Sequence, residues 1–447
     1  MSLLIDLTSV SLLANPQCLG SFREHIDPAW IEQVLHATGT ATVRTRRLPA
    51  EQVLWLVIGM ALIRDLSIEE VVARLDLALP GRRGPEVAPS AIPQARERLG
   101  AEPVKELFLQ TGAHWAAESA RVDAWRNLAV YALDGTSMLV PDTLENRAHF
   151  GSAGGKRGVS GYPLVRVVAL MSPRSHILAA ARIGPYKGSS EASLARELFP
   201  QVPDNSLTLV DRNFLNSATL VGISRGGENR HWMTRAKSTT KWTVIRNLGP
   251  GDDLVRITVS SQARKLDPTL PASFEARAVV YCRKGFRPQT ILTSLLDEKL
   301  YPAAELTGMY HERWEIEQGY DEIKTEMLGS DPTLRSKAPW SVEQELWGVL
   351  IAYNLVRLEM QRVARRLDLP PVRLSFIASI RFIREAWDYS WGPSPGRIPK
   401  RLEALAANLG RFVLRPRREE RSYPRAVKVK MSNYARKRPV TLSGLAK

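Results

Sequence analysis

The sequence contains few cysteines and no apolar segment long enough to cross a membrane. Cys18 and Cys282 are the only cysteines in 447 residues, and their separation fits neither a zinc-binding nor a redox motif. A disulfide framework is therefore not expected, and a reduced cytosolic protein is the simplest interpretation. The two longest apolar stretches, Val53 to Ile63 and Leu346 to Val356, have 11 residues each, which predicts buried helices and not membrane spans. The first residues also lack the pattern of a secretory signal.

Acidic residues are scarce relative to basic ones. The chain has 62 Lys and Arg against 46 Asp and Glu, and the formal charge of +16 favours polyanionic partners. The excess is concentrated in residues 395–447, here called the basic tail, which contain 15 Lys and Arg but only 3 Glu. Pro, Gly and aromatic residues interrupt the tail, so it is not one long charged helix. A solvated disordered end and a nucleic-acid contact both explain it, and the clustering of its arginines favours the second.

Apolar residues recur at helical spacing from residue 28 to residue 120. Five helices are predicted there, over residues 29–38, 50–64, 67–75, 90–99 and 103–119. Ser67 and Glu70 have the capping-box pattern that opens the third of them. The fourth carries Arg96 and Arg98, and a helical pair with a basic second member is typical of a helix-turn-helix that enters a DNA major groove. Plain packing of two helices explains this pattern equally well.

From residue 127 the pattern changes to short apolar runs typical of β-strands. The predicted order is three strands, a helix, a strand, a helix and a strand, over residues 127–133, 162–171, 176–183, 191–198, 206–210, 217–223 and 232–236. Strands joined by short connections form an antiparallel meander, whereas strands reached through helices are parallel to their neighbours. This order predicts a five-stranded mixed sheet of the ribonuclease H type. A strand-rich insert over residues 240–300 follows, and helices resume over 303–326, 342–367 and 373–387.

Two aspartates follow strands of this predicted sheet. Asp134 ends the first predicted strand and Asp211 the fourth, and both precede residues that interrupt a strand. Aspartates are common turn residues, but these two strands are neighbours in the predicted sheet, so their carboxylates can meet at one edge. With a third acid from a helix they would hold two divalent ions, as phosphodiester chemistry requires. Mg²⁺ suits such a site because it prefers oxygen ligands.

The third acid is predicted on the helix over residues 303–326. Tyr310, Arg313, Glu317 and Lys324 are separated by three, four and seven residues, which returns them to one stripe at 3.6 residues per turn. The stripe borders the apolar side of the helix, so Glu317 is the expected ligand. Four other glutamates of the same helix are expected to face solvent, namely Glu312, Glu315, Glu322 and Glu326. A surface ion pair between Arg313 and Glu317 is the alternative interpretation.

The motif Tyr310-x2-Arg313-x3-Glu317-x6-Lys324 resembles the signature of the IS4 family of bacterial DDE transposases, of the Tn5 and Tn10 type. Asp134-Gly135-Thr136 and Asp211-Arg212-Asn213-Phe214 are similar to the two aspartate motifs of that family. The resemblance implies an α/β fold with a ribonuclease H-like mixed-sheet catalytic core, an inserted β-rich subdomain, a helical N-terminal domain and a helical, basic C-terminal region. The expected segments are the DNA-binding domain 1–122, the core 123–239 and 303–370, the insertion 240–302 and the C-terminal region 371–447.

The resemblance also implies the roles of individual residues. Asp134, Asp211 and Glu317 are the expected catalytic residues and would bind two Mg²⁺ ions, for which Mn²⁺ would substitute. The expected DNA contacts are Tyr310, Arg313, Trp314, Lys324, Arg212, Arg96 and Arg98. The implied reaction is cut-and-paste transposition, in which the ends of an insertion sequence are cleaved and the freed 3′-hydroxyl attacks target DNA. Because two ends must be joined, a homodimer on double-stranded DNA is expected, in the bacterial cytoplasm and associated with the nucleoid.

The excision route and two other functions stay open. Family members of the Tn5 type cut through a DNA hairpin and stack a flipped base on tryptophan, and Trp314 matches one such residue. The segment 287–302 contains no tryptophan to match a second. A structure-specific ribonuclease H-like nuclease would use the same acids without strand transfer, and an inactive, domesticated DNA-binding protein is a third possibility. The presence of all three acids argues against the last.

Overall fold

The computed structural model describes residues 24–41, 48–74, 87–155, 158–282, 287–329, 333–388 and 407–415. The chain divides into two compact units, unit 1 with residues 1–119, 174–180 and 318–416, and unit 2 with residues 120–173, 181–317 and 417–447. Within the described ranges, no helix is long and apolar enough to span a bilayer. Apart from residues 407–415, the predicted basic tail lies outside the described residues.

The elements follow the predicted order. Five helices come first, α1 (Pro28–Ala37), α2 (Ala50–Leu62), α3 (Ile68–Arg74), α4 (Ala91–Leu99) and α5 (Glu102–Val122). Next come β1 (Ala129–Leu139), α6 (Leu144–Phe150), β2 (Gly154–Gly155), β3 (Gly158–Val159), β4 (Leu164–Met171), β5 (Leu178–Pro185), α7 (Glu191–Leu198), β6 (Ser206–Val210), α8 (Ser217–Arg225) and β7 (Arg230–Arg235). The insert contains β8 (Thr243–Gly249), β9 (Asp252–Thr258), α9 (Ser261–Leu266), β10 (Ser273–Tyr281) and β11 (Gln289–Thr293). The last helices are α10 (Ala303–His311), α11 (Glu315–Asp321), α12 (Pro339–Arg366) and α13 (Phe376–Asp388).

Helices α2 and α12 form the core of unit 1. Every residue from Val53 to Ile63 and from Leu346 to Val356 is buried, so both apolar stretches are core helices, as predicted. The predicted capping box at α3 is confirmed, because the Ser67 N–H donates to Glu70 Oε2 at 2.7 Å and the Glu70 N–H donates to Ser67 Oγ at 3.2 Å. Together these features give unit 1 a helical core, as its apolar periodicity predicts.

A mixed sheet with the order β5-β4-β1-β6-β7-β11-β10-β9-β8 dominates unit 2. Strand β1 is antiparallel to β4 and parallel to β6, and β6 is parallel to β7. These five strands have the predicted ribonuclease H-like arrangement. The insert continues the same sheet, because β11 pairs antiparallel with β7 through residues such as Ile291 and Arg235.

The predicted uninterrupted helix over residues 303–326 is wrong. A 3₁₀ turn, Glu312–Trp314, separates α10 from α11, and a π-helical turn, Glu322–Met327, follows α11. In the π turn the Leu328 N–H donates to the Ile323 carbonyl five residues back, at 3.0 Å. A 3₁₀ turn holds fewer residues than an α turn, and a π turn holds more. A constant rotation of 100° per residue therefore does not describe this segment. The division between the two units also falls inside it, after Glu317.

Candidate active site

The two aspartates lie side by side in unit 2. Parallel strands β1 and β6 pair residue by residue up to Leu133 opposite Val210, so Asp134 and Asp211 are the next residues of their strands. Neighbouring strands are about 4.8 Å apart, which places these two positions at one edge of the ladder. The sheet topology therefore brings together the first two acids, as the sequence predicts.

The prediction that Asp134 ends its strand is wrong. Strand β1 continues to Leu139, because Asp134 remains paired with Ala169 of β4 and Gly135 with Val168. Only the pairing with β6 stops at Leu133, one residue before Asp134. Asp211 does end β6, and its carboxylate accepts a hydrogen bond from the Asn213 N–H at 3.3 Å at the start of a 3₁₀ turn.

Arg313 joins the first aspartate to the glutamate. Its guanidinium donates to Glu317 Oε1 at 2.8 Å and to Asp134 Oδ2 at 3.5 Å. The Arg313 side chain is 9% exposed, the Asp134 side chain 18% and the Glu317 side chain 37%. Arg313 lies on the 3₁₀ turn and points inward, towards Asp134 within β1. Arg313 thus links Glu317 to Asp134. The alternative interpretation, a simple ion pair on the surface, does not describe this arrangement.

Burial dominates the electrostatics of Asp134. Loss of water raises its pKa to about 7, the Gly135 N–H and the Arg313 guanidinium lower it, and the carboxylates of Asp211 and Glu317 raise it further. The three acids therefore repel one another in a partly dry environment, with Arg313 as a counter-charge. Their oxygen donors have the chemistry that divalent ions such as Mg²⁺ prefer. As the side chains stand, no three acids, histidines or cysteines of the described residues converge on a metal position.

Tyr310 anchors the helical segment to the sheet. Its side chain is 7% exposed, and its hydroxyl donates to the carbonyl of Val210, the residue before Asp211, at 3.4 Å. Burial raises the pKa of Tyr310 to about 12. The phenol therefore remains protonated near neutral pH and holds α10 against the end of β6. Its contact with a DNA phosphate stays a prediction.

Two residues predicted to contact DNA are exposed beside the acids. The Trp314 ring is 44% exposed and its centroid lies 5.9 Å from the Arg313 guanidinium carbon. Arg212, which follows Asp211, is also exposed. Lys324 belongs to unit 1, where it is half-buried on the π turn. The single stripe predicted for Tyr310, Arg313, Glu317 and Lys324 assumed a regular α-helix, which the structure does not have.

The structure contradicts the prediction that Arg96 contacts DNA. Arg96 is 6% exposed and its guanidinium donates to Gln344 Oε1 at 2.8 Å and to Ser336 Oγ at 3.0 Å. Because its donors are used inside unit 1, Arg96 joins α4 to the start of α12. Arg98 is exposed on the same helix and keeps its predicted role as a hypothesis. The sequence could not separate these two arginines, since both occur on a short amphipathic helix.

The sequence prediction missed two glutamates. Glu191 packs over Gly135, where a Cβ atom would lie 2.5 Å from Glu191 Cγ, and its carboxylate accepts from Arg166 Nη1 at 3.4 Å. Glycine directly after Asp134 is a signal of such close approach.

Glu322, expected to face solvent, is bound inside unit 1 to Arg357 and Tyr353. No local signal identifies Glu322, because its partners are more than 30 residues away.

Comparison with known proteins identifies two regions of the chain that match transposase families. Residues 16–109 match the family described as insertion element 4 transposase N-terminal, and residues 125–355 match the transposase DDE domain. The chain is 43% identical over 432 residues to the transposase InsG for insertion sequence element IS4 of Escherichia coli (strain K12), covering 96% of both chains. It is 40% identical over 306 residues to the putative transposase InsZ of the same organism, covering 68% of this chain and 97% of that one.

Among solved structures, the chain is similar to a piggyBac transposase in a synaptic complex with hairpin DNA. The identity is 10% and the TM-score 0.43, over 90% of this chain and 86% of that one. The DDE match spans more than half of the chain and includes Asp134, Asp211 and Glu317. The chain therefore belongs to the IS4 family of insertion-sequence transposases and carries their DDE domain.

Proposed function

We propose that Asp134, Asp211 and Glu317 are the catalytic acids with which this transposase cleaves DNA at terminal inverted repeats and joins the freed 3′-hydroxyl to target DNA. The observation that carries the proposal is the register of β1 and β6, which aligns the two aspartates, together with Arg313, which contacts both Asp134 and Glu317. The pairing of two strands and the contacts of one helical segment thus support a common site for the three acids.

The acids fit divalent cations by their chemistry. Three carboxylates supply only oxygen donors. Burial, followed by the smaller repulsion from Asp211 and Glu317, raises the pKa of Asp134, and a bound cation would stabilise its ionised form. Asp134, Asp211 and Glu317 would hold two Mg²⁺ ions, with Mn²⁺ as a substitute. When bound, such ions activate the attacking oxygen and stabilise the leaving oxygen of the phosphodiester.

The neighbouring residues bind and orient the substrate. Arg313 offsets the negative charge of Asp134 and Glu317, and its guanidinium supplies donors for a DNA phosphate. Trp314 presents an exposed aromatic face on which a base can stack. Arg212, Arg98 and Lys324 supply further phosphate contacts, which set orientation and affinity without reading sequence.

The oligomeric state and the DNA-binding regions that we propose follow from the reaction. Joining two ends to one target requires two active sites, which supports a homodimer in the DNA complex. The helical region 1–122 is the candidate for recognition of the inverted repeats, and the charge of the basic tail adds affinity that does not depend on sequence. We place this activity on nucleoid DNA in the bacterial cytoplasm.

The test uses the full-length protein, a duplex that ends in the inverted repeat of its own element, and a target plasmid. Wild-type protein with Mg²⁺ should release the end and give joined product, and EDTA should abolish both. Asp134→Asn should bind the duplex but fail to cleave it. Asp253→Asn is the matched control, because Asp253 lies on β9 in the insert and should leave cleavage unchanged. Cleavage without joined product would favour the nuclease, and cleavage by Asp134→Asn would refute the assignment of the acids.

A further inference from the structure

Glu322 begins the π turn and is held inside unit 1. Its carboxylate accepts a hydrogen bond from the Tyr353 hydroxyl at 2.7 Å and contacts the Arg357 guanidinium through both oxygens. The ring of His176 lies 3.3 Å from Glu322 Oε2. Tyr353 and Arg357 are on α12, so these contacts tie the π turn to the central helix of the unit. We call these four residues the Glu322 cluster.

Three residues of the Glu322 cluster are shielded from water, and the Glu322 side chain itself is 18% exposed. Arg357 is 1% exposed, His176 2% and Tyr353 0%, and the Arg357 guanidinium carbon lies 5.4 Å from the Phe376 ring centroid. Burial alone would raise the pKa of Glu322, but Arg357 and then His176 outweigh it and lower the pKa to about 2. A buried ion pair gains little over apolar packing, yet removal of one partner leaves an uncompensated charge. Such a cluster specifies one position for the segment that carries it.

The same π turn carries Lys324. Ile323 and Met327 are 0% and 1% exposed, so the apolar side of the turn is buried while Glu322 is held by α12. Lys324 directly follows Glu322 and Ile323 and is half-buried. Opening an α-helix into i→i+5 hydrogen bonds is rare and is often found at functional sites. The contacts of Glu322 and Ile323 therefore determine the direction in which the Lys324 side chain leaves the turn.

We infer that Glu322 is a positioning residue for DNA binding, which holds the π turn so that Lys324 meets a phosphate of the transposon end. The inference rests on the proposed role of Lys324 as a phosphate contact. Glu322 itself does not contact DNA; it acts through the geometry of the turn. Glu326 provides a matched control, because it lies on the same π turn and takes no part in the contacts of the Glu322 cluster.

The experiment measures the affinity of the full-length protein for end duplex between 50 and 200 mM NaCl. A lost phosphate contact lowers the salt slope by about 0.9, so the fall in affinity over this range becomes about 3.5-fold smaller. Lys324→Met should show this change, and Glu322→Gln should show the same change together with weaker binding. The double variant should bind no more weakly than Lys324→Met. Glu326→Gln should keep the slope of the parent.

An effect of charge alone would be the opposite for Glu322→Gln. Both Glu322→Gln and Glu326→Gln remove one negative charge, which by itself would strengthen DNA binding. Thermal unfolding identifies variants that retain the fold. Tyr353→Phe removes the hydrogen bond to Glu322 and the one that Arg357 Nε donates to the Tyr353 hydroxyl, but it keeps the ion pair, so it should shift the slope in the same direction by less. Positioning by Glu322 is rejected if Lys324→Met lowers the salt slope but Glu322→Gln does not. It is also rejected if the losses of affinity of the two single variants add in the double variant. If Lys324→Met keeps the parent slope, the role of Lys324 fails and the inference with it.

Discussion

The packing of α2 against α12 can be tested at a single glycine. A Cβ atom on Gly348 would lie 2.6 Å from Val57 Cγ1 and 2.8 Å from the Val57 carbonyl oxygen. The side chain of Val57 could change rotamer, but its carbonyl belongs to a helix that is buried from Gln52 to Leu62. Gly348→Ala therefore forces the two core helices of unit 1 apart or strains them.

The magnitude follows from two opposing terms. Overpacking a well-packed core costs about 1–3 kcal/mol. Replacing a glycine within a helix by alanine contributes about 1 kcal/mol in the other direction. We expect Gly348→Ala to lower the free energy of unfolding by up to about 2 kcal/mol, which corresponds to a fall in Tm of at most about 4–8 °C.

Gly308→Ala isolates the favourable term. Gly308 is exposed in α10, and a Cβ atom there would meet nothing within 4 Å. This variant should be more stable than the parent by about 0.5–1 kcal/mol. Calorimetry and urea unfolding of the parent and both variants provide the comparison. If Gly348→Ala proved as stable as Gly308→Ala, the close approach of α2 and α12 would be incorrect.

Three further predictions concern Glu322, Arg96 and Trp314. The folded-state pKa of Glu322, about 2, lies below its ordinary value of 4.5, so its stabilisation is present above about pH 4.5 and is lost as the pH falls towards 2. The Tm of the parent should therefore fall more steeply over this range than that of Glu322→Gln, and equal slopes would contradict the ion pair. Arg96→Met should lower the free energy of unfolding by about 2–4 kcal/mol because Gln344 loses its buried donor, whereas Arg98→Ala should change it by less than about 0.5 kcal/mol, both measured by urea unfolding. Trp314→Ala should weaken binding of a hairpin or flipped-base end by about 1–3 kcal/mol in a fluorescence assay with an unchanged Tm, and equal affinity would exclude stacking.

The fold was largely predictable because its signals are local. Helical periodicity located α2 and α12, and the sequence of strands and helices predicted the meander and the parallel strands of the core. Chain connectivity limits the possible sheet orders, which is why the neighbours β1 and β6 could be predicted without coordinates. The continuation of the sheet into the insert was not predicted, because pairing of β11 with β7 joins residues more than 50 positions apart.

For the candidate site, the neighbouring positions of the two aspartates were predictable, whereas the contacts of the helical segment were not. The spacing of Arg313 and Glu317 predicts an ion pair, but the contact of Arg313 with Asp134 depends on the turn at residues 312–314. A helical wheel also placed Glu322 in solvent, whereas Arg357 and Tyr353 bind it in the interior. Regular geometry was assumed where 3₁₀ and π turns occur, and such turns respond to tertiary contacts more than to local propensity.

By itself, the sequence determined the order of most helices and strands, the positions of three candidate acids, and that the partner is a polyanion. These properties depend on side-chain periodicity, chain connectivity and net charge, all of which are local or additive. Only the tertiary structure decided that Arg96 is a buried link to Gln344, that β1 continues past Asp134, and that the pKa of this carboxyl is raised to about 7. Each of these outcomes depends on which distant groups exclude water from a side chain and which of them supply its hydrogen bonds.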